Sequence, residues 1–464
     1  MIIKFSNLGS IKETELDLRP LTVIIGPNNT NKTYIAYSLY GLWQILRNKP
    51  ISQPNFHRTK QNQLTWDIDK SFIESVTKAI TKGTQEFKER LEIYFQDSSR
   101  RLFLNTDFVV RATEEEIKDA LHRLVGANTL PNFPEGAMPQ LSIKDNVILV
   151  EVINDEAIFY SPGSLSRALR RQLFSAPFLL PAERNAFVLT YKLLANRRYK
   201  LLKNFQRGSR LSATGATIDR QRRFELLKEQ GDILYPEPIE DFWDFLTDLE
   251  FQPNMRLEPE SKNAFQLLAD QIENQLQDKN RTIFTTTKMG GREIKIKVKR
   301  GLSIDLYNAS SSIKQLAPLL LYLRYRAAEN DLLIIDEPEM NLHPESQAKL
   351  LEALGILVNL GVKVLLTTHS PYFMAHLNNL VNGDTENPTL LKRQASSLYL
   401  KDTRAFLKMD QVSAYEMKKN KLCSLKDADF GIRWDTLSDV SAEIQQKYFE
   451  ISEKRMASSH GKEK

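Results

Sequence analysis

The sequence predicts an α/β fold built on a sheet with a phosphate-binding loop, and three stretches predict it. In the first, the apolar run Leu21-Thr-Val-Ile-Ile25 leads into Gly26-Pro-Asn-Asn-Thr-Asn-Lys-Thr33. A helical run follows, with Ile35, Leu39, Leu42, Ile45 and Leu46 at helical spacing. In the second, Asp331-Leu-Leu-Ile-Ile-Asp-Glu-Pro-Glu-Met-Asn-Leu-His-Pro344, the apolar residues Leu332 to Ile335 end in Asp336 and Glu337. In the third, Val362-Lys-Val-Leu-Leu-Thr-Thr368 ends at His369-Ser-Pro371. Open parallel sheets bind ligands outside the carboxyl ends of their strands, so a buried strand ending in paired acids suggests a metal–phosphate site. For an isolated Asp-Glu pair, a strand end with solvated acids is the commoner reading, and the rest of the chain decides.

Bulk properties narrow the class. At 464 residues the chain can hold two or three structural units. Hydrophobic content of 41% and charged content of 26% are ordinary for a globular protein. No apolar run approaches the roughly 20 residues needed to cross a bilayer. The start, Met1-Ile-Ile-Lys-Phe5, has no charged-then-apolar signal segment and reads as a strand. The single cysteine, Cys423, rules out an internal disulfide and suits a reducing cytosol, so a cytoplasmic location is expected. A net charge of +6 permits nucleic-acid contact without arguing for it.

The elements follow in order. Residues 2–5, 11–18 and 21–25 read as strands. Residues 48–65, polar and holding Pro50 and Pro54, read as a loop. Ile68, Phe72, Val76 and Ile80, then Phe87, Leu91 and Phe95, step by four and predict a helix over 66–96. Thr113-Glu-Glu-Glu116 resembles a capping box opening a helix. Residues 126–139 read as a loop, and three short strands are expected between Leu141 and Tyr160. Phe178-Leu-Leu-Pro-Ala-Glu-Arg184 is a buried strand running into a charged pair. Residues 187–230 are rich in Lys and Arg; 238–280 read as helices; 282–298 read as a hairpin turning at Gly290-Gly291. An apolar helix over 316–328 feeds the acid-bearing strand, and a helix from Ser346 to Leu360 follows it. Beyond the His369 strand come short strands and loops, then a helix near Val440 to Lys454.

The motifs carry specific chemistry. Gly26 to Thr33 nearly matches G-x-x-x-x-G-K-[ST], whose backbone N–H groups cradle phosphates at a helix N-terminus. Gly26, Asn28, Asn29, Asn31, Lys32 and Thr33 are the candidate nucleotide contacts, with Lys32 on the outer phosphates and Thr33 on Mg²⁺. Asn31 stands where the pattern has glycine. Asn enters positive φ more readily than most residues, so the loop shape can survive the change. Asp336 would hold the Mg²⁺ through a water, Glu337 would polarise the attacking water, and His369 would approach the γ-phosphate.

Phosphate loop, Asp336-Glu337, Asn341-Leu-His-Pro344 and Thr-Thr-His369-Ser370 together resemble an ABC-type ATPase head of the SMC, RecN and OLD-like branch. The resemblance implies an α/β head, with a mixed phosphate-loop sheet and an antiparallel β lobe, interrupted by helical insertions. It implies ATP and Mg²⁺, and two heads sandwiching ATP, each lending a signature segment to its partner's nucleotide. The matching segment is Asn308-Ala-Ser-Ser-Ser-Ile-Lys-Gln315, with Ser310, Ser311 and Ser312 as candidate contacts; Ser312 replaces the family's last glycine. The same serines also suit a plain helix cap. Gln172 is a weak candidate for the family's metal-reaching glutamine. Pro181-Ala-Glu-Arg184 resembles the "PAER" segment of defence-associated members, where Arg184 contacts nucleotide or couples head to insertion; a buried structural ion pair is an equal reading.

The resulting organisation is 1–49 and 281–380 as the two halves of the head, 140–186 as its β segment, 50–139 and 187–280 as helical insertions, and 381–464 as an extension. No acidic nuclease domain, His-Asn-His pattern or His-Cys cluster is legible after the head. The resemblance to ATPase subunits of PARIS-like or Septu-like anti-phage systems therefore implies a slow, oligomeric sensor or scaffold controlling a separate nuclease, with no membrane role. The alternative is a DNA repair or chromosome-associated ATPase binding nucleic acid through residues 192–223. With few aromatics interleaved, that basic run reads slightly better as a solvated face or a docking surface for an acidic partner.

Overall fold

The structure is a computed structural model describing residues 1–49, 51, 56–60, 63–99, 101–126, 140–144, 147–151, 155–190, 235–251, 262–286, 292–298, 301–427, 431–433, 443 and 445–453. The first half of the chain supplies β1 (Ile2–Leu8), β2 (Ile11–Asp17), β3 (Leu21–Ile25), α1 (Lys32–Asn48), β4 (Phe56–Lys60), β5 (Gln63–Asp67), α2 (Lys70–Tyr94), β6 (Asp107–Arg111), α3 (Glu114–Val125), β7 (Gln140–Lys144), β8 (Val147–Glu151), α4 (Asp155–Leu173) and β9 (Pro177–Leu180). The second half supplies α5 (Glu237–Phe251), α6 (Ala264–Leu276), β10 (Arg281–Thr286), β11 (Arg292–Lys297), β12 (Ser303–Asp305), α7 (Ser311–Tyr325), β13 (Leu332–Asp336), α8 (Pro344–Asn359), β14 (Lys363–Thr368), α9 (Pro371–Asn382), α10 (Pro388–Ala395), β15 (Val412–Lys418) and β16 (Lys421–Ser424).

The central sheet runs β16-β15-β3-β14-β13-β9. All but β16 are parallel to their neighbours. The fold is thus mixed α/β, as expected. Register brings the strand ends side by side: Thr368 lies opposite Ile25, Asp336 opposite Thr367, and Ile335 opposite Leu180. Parallel strands need helical crossovers, which cover both faces and make the strands apolar throughout. On β13, Leu332 and Ile334 pack into the core built on α1 to α4, and Leu333 and Ile335 into the core built on α7 to α9. This is why the run reads as continuous rather than alternating.

Among the described residues, the antiparallel sheets β2-β1-β6, β4-β5-β8-β7 and β10-β11-β12 flank the core, with a two-stranded pair of Lys426–Asp427 and Gly431–Ile432 beside them. Helices α1 and α2 meet at Gly41, where an added Cβ would lie 2.3 Å from Phe87 Cε2 and 2.7 Å from Tyr94 Cζ. The capping box at Thr113 is formed, with Thr113 Oγ1 accepting from the Glu116 N–H and Glu116 Oε2 from the Thr113 N–H.

Two expectations are corrected. Residues 48–65 are not simply a loop: β4 and β5 form a hairpin joined to β8. Their alternation is carried by Leu64 and Trp66, buried beneath polar neighbours. Among the described residues between Leu141 and Tyr160, β7 and β8 are the strands, and from Asp155 the chain is helical as α4. Buried Leu165, Leu169 and Leu173 show its helical spacing, beyond the short window that looked β-like. The 126–139 loop, the Gly290-Gly291 turn and residues 192–223 lie outside the described residues. The C-terminal region enters the core directly: β15 pairs with β3 and flanks the phosphate loop.

Candidate active site

The phosphate loop leaves β3 at Gly26, whose φ is +157° and whose added Cβ would lie 2.8 Å from Met417 Cβ on β15. A side chain is excluded there because β15 lies against the loop. Asn31, the departure from glycine, sits at φ 64°, and Asn29 at φ 61°, both in the left-handed region that Asn tolerates. The Asn31 amide donates to Ser10 Oγ in the β1–β2 turn, and Ser10 Oγ donates to Asn420 Oδ1 in the β15–β16 turn at 3.1 Å. The loop is therefore tied to two hairpin turns behind it, through the side chain that glycine would lack. Asn28 and Asn29 are exposed at its tip.

Lys32 opens α1 and folds back into the loop. Its Nζ donates to Gly26 O at 2.9 Å and Pro27 O at 2.8 Å, and the side chain is buried. Burial pushes the Lys32 amine down, against the pull of Glu337, Asp336 and Glu339. Thr33 reaches past β14 to the acid strand, its hydroxyl donating to Asp336 Oδ2 at 2.9 Å.

Asp336 ends β13 and is 2% exposed. Its other oxygen accepts from the Thr367 hydroxyl. Burial raises its carboxyl to about 6, against the Thr367 and Thr33 hydrogen bonds, with the neighbouring Glu337 charge adding to the rise. Glu337 follows at φ 48°, a conformation uncommon for a non-glycine residue. The Glu337 backbone is held by Thr367, its N–H donating to Thr367 O at 3.0 Å. Its carboxylate meets His369 Nε2 at 3.0 Å, and that bond holds the Glu337 carboxyl below its usual range.

The histidine turn is fixed in place. Glu339 Oε1 accepts from Thr368 Oγ1 at 2.8 Å and from His369 N at 2.6 Å. Ser370 Oγ donates to Gln347 Oε1 at 2.5 Å, and Gln347 Nε2 donates to Leu342 O at 3.0 Å. The Asn341-Leu-His-Pro344 and Thr-His-Ser-Pro371 segments are thus braced on each other. Sequence reasoning assigned nothing to Glu339, Gln347 or Thr367, although two threonines closing an apolar run were a legible signal.

Arg184 is buried, and its guanidinium donates to four main-chain carbonyls. Nη1 donates to Pro181 O and Asp336 O at 2.9 Å each, Nη2 to Glu337 O at 3.1 Å, and Nε to Gln315 O at 3.2 Å. Burial lowers it to about 10, so it stays protonated at neutral pH. It clamps the acid turn to β9 and α7, a structural role through backbone carbonyls. Gln172 is not near this edge: its carbonyl accepts from Asn330 Nδ2, before the start of β13, at the opposite end of the sheet. Ser310 caps α7, its Oγ accepting from Ile313 N at 3.4 Å and lying 3.1 Å from Ser312 Oγ. Ser310 and Ser311 are exposed, and among the described residues no hydrogen bond joins these serines to the phosphate loop.

The structure therefore brings together Gly26, Lys32, Thr33, Asp336, Glu337 and His369, and leaves Ser310 to Ser312 apart on α7. The donor set suits Mg²⁺, a hard cation taking oxygen ligands. Thr33 Oγ1 and Asp336 Oδ2 are adjacent oxygens, and the buried Asp336 carboxylate is met only by hydroxyls among its hydrogen-bond partners.

Residues 188–375 match a family model described as an AAA domain, putative AbiEii toxin, Type IV TA system. The match takes in the acid strand and the histidine turn and begins after the phosphate loop. A search of curated proteins finds no match. Among solved structures, an SmcHead bound to the C-winged helix domain of ScpA aligns at 10% identity and TM-score 0.35, covering 91% of this chain and 96% of that one. An Smc head domain with an extended coiled coil, bound to the C-terminal domain of ScpA derived from Pyrococcus furiosus, aligns at 11% identity and TM-score 0.36, covering 96% and 98%. Among the described residues no helix is long and apolar enough to cross a membrane.

Proposed function

We propose that the chain is an ABC-type ATPase head that binds MgATP and hydrolyses it slowly. The observation that carries this is the Thr33–Asp336 hydrogen bond, which joins the phosphate loop to the acid strand across β14. Gly26 to Thr33 hold the phosphates, Lys32 turning from the loop carbonyls to the outer phosphates. Thr33 and, through a water, Asp336 would hold Mg²⁺, which would supply charge neutralisation at the phosphates. Glu337, kept ionised by His369, takes the proton of the attacking water, yielding ADP and phosphate. His369 is then freed to face the γ-phosphate. Ser310 to Ser312, at the start of α7 with Ser310 and Ser311 exposed, serve the nucleotide of a second copy, so the working form is at least a dimer. Lys32→Ala should abolish MgATP binding; retained binding in that variant would overturn the assignment.

The biological reading is a sensor or scaffold in prokaryotic anti-phage defence that controls a separate nuclease. It is supported by the Pro181-Ala-Glu-Arg184 segment and by the family description's reference to a Type IV TA system. Substitution of two phosphate-side glycines, at Asn31 and Ser312, favours a switch over a motor. A phage-challenge assay with the neighbouring gene present or deleted tests this reading: protection requiring both genes and Glu337 supports it. The second reading, a repair or chromosome-associated ATPase binding nucleic acid, draws on the basic residues of 192–223. Neutralising Arg197, Arg198 and Arg222 should then abolish salt-sensitive DNA binding.

A further inference from the structure

The hydrogen bonding between β13 and β14 stops one rung short of His369. The ladder enters with the Lys363 N–H on Asp331 O at 2.8 Å and leaves with the Glu337 N–H on Thr367 O at 3.0 Å. In a parallel pair the next rung would be the His369 N–H on Glu337 O. Glu337 turns at φ 48°, and its carbonyl accepts from Arg184 Nη2 at 3.1 Å instead. Glu339 supplies the missing acceptor from its side chain. Its Oε1 takes the His369 N–H at 2.6 Å and the Thr368 hydroxyl at 2.8 Å.

The consequence falls on the imidazole. His369 Nε2 meets Glu337 Oε1 at 3.0 Å, so the ring lies where its own backbone lets it reach. That backbone is held by a short bond to a carboxylate, a stronger tie than an ordinary rung. The Thr368 hydroxyl that Glu339 orients also accepts from the Ser370 N–H at 3.0 Å. One side chain therefore fixes the exit of β14 into α9 on both sides of His369.

Only one oxygen of Glu339 is used. Oε2 is buried and has no hydrogen-bond partner among the described residues. The arrangement thus calls for an acceptor at Oε1 rather than for a charge. A glutamine oxygen can accept the same two bonds, and alanine can accept neither.

We propose that Glu339 is a positioning residue, which sets the His369 imidazole against Glu337 and acts on hydrolysis through it alone. The kinetic consequence rests on the ATPase reading above; the placement of His369 does not. Two measurements test the proposal on the full-length chain. Without nucleotide, diethylpyrocarbonate labelling of His369, read by peptide mass spectrometry, should speed up several-fold in Glu339→Ala and stay at the parental rate in Glu339→Gln. With MgATP, Glu339→Ala should lower kcat about ten- to a hundredfold at unchanged KM, since the cost is one of misplacement. Glu339→Gln should restore kcat, and Glu339→Ala should add nothing in a His369→Ala background. Parental labelling in Glu339→Ala, equal loss of kcat in the alanine and glutamine variants, or additive losses with His369→Ala would each overturn the proposal. A parent that hydrolyses no MgATP would overturn the ATPase reading instead, and the labelling rates would still decide the placement of His369.

Discussion

Asp336→Asn is expected to stabilise the metal-free protein while removing its metal response. Asp336 titrates near 6 in the folded chain against an ordinary value of 3.8, because burial disfavours its charge. A carboxyl raised on folding favours the folded state most below the unfolded value. That contribution is lost as pH rises from about 4 through 6. Above 6 the ionised carboxylate carries the full deficit, about 3 kcal/mol at most. Asn carries no charge, and the Thr33 and Thr367 hydroxyls can each donate or accept, so both hydrogen bonds can survive. In chelator at pH 7.5 the variant should therefore be about 1–3 kcal/mol more stable in urea unfolding. At pH 4 the difference should vanish. Added Mg²⁺ should raise the urea midpoint of the parent at pH 7.5 and not that of Asp336→Asn. A variant less stable than its parent at pH 7.5 in chelator would refute the reasoning, because it would mean that the buried charge is already compensated by the protein.

Three further substitutions probe the frame. Arg184→Met should cost about 3–5 kcal/mol in urea unfolding, since buried carbonyls of Pro181, Gln315, Asp336 and Glu337 lose their donor; a loss under about 1 kcal/mol would contradict the clamp. Gly41→Ala should destabilise by about 1–3 kcal/mol, because its Cβ meets the Phe87 and Tyr94 rings; thermal melting reads it. Asn31→Gly keeps the positive φ but cuts the tie to Ser10, and steady-state turnover should rise several-fold; an unchanged rate would remove Asn31 from the account of slow hydrolysis.

The central sheet was legible because each of its key strands is a short apolar run ending in polar chemistry, which only a doubly covered parallel strand requires. The Asn31 geometry was also legible, since few other residues accept φ 64°. The hairpin at β4 and β5 was hidden by flanking prolines and polar residues, although Leu64 and Trp66 carry its inward face. Helix α4 was misread because a β-like window obscured its helical spacing. The Arg184 clamp could not be read: four of its hydrogen bonds go to backbone carbonyls, which no side-chain pattern encodes. Nor could the Asn31–Ser10–Asn420 chain, whose ends lie far apart in sequence and meet only because β15 joins β3.

Single-turnover hydrolysis of MgATP by the parent and by Glu337→Gln tests the central claim most directly. The variant should bind MgATP as tightly as the parent, accumulate as an ATP-bound dimer on sizing, and release phosphate at least a hundredfold more slowly. Phosphate release at the parental rate would contradict the composite site in which Glu337 takes the proton of water.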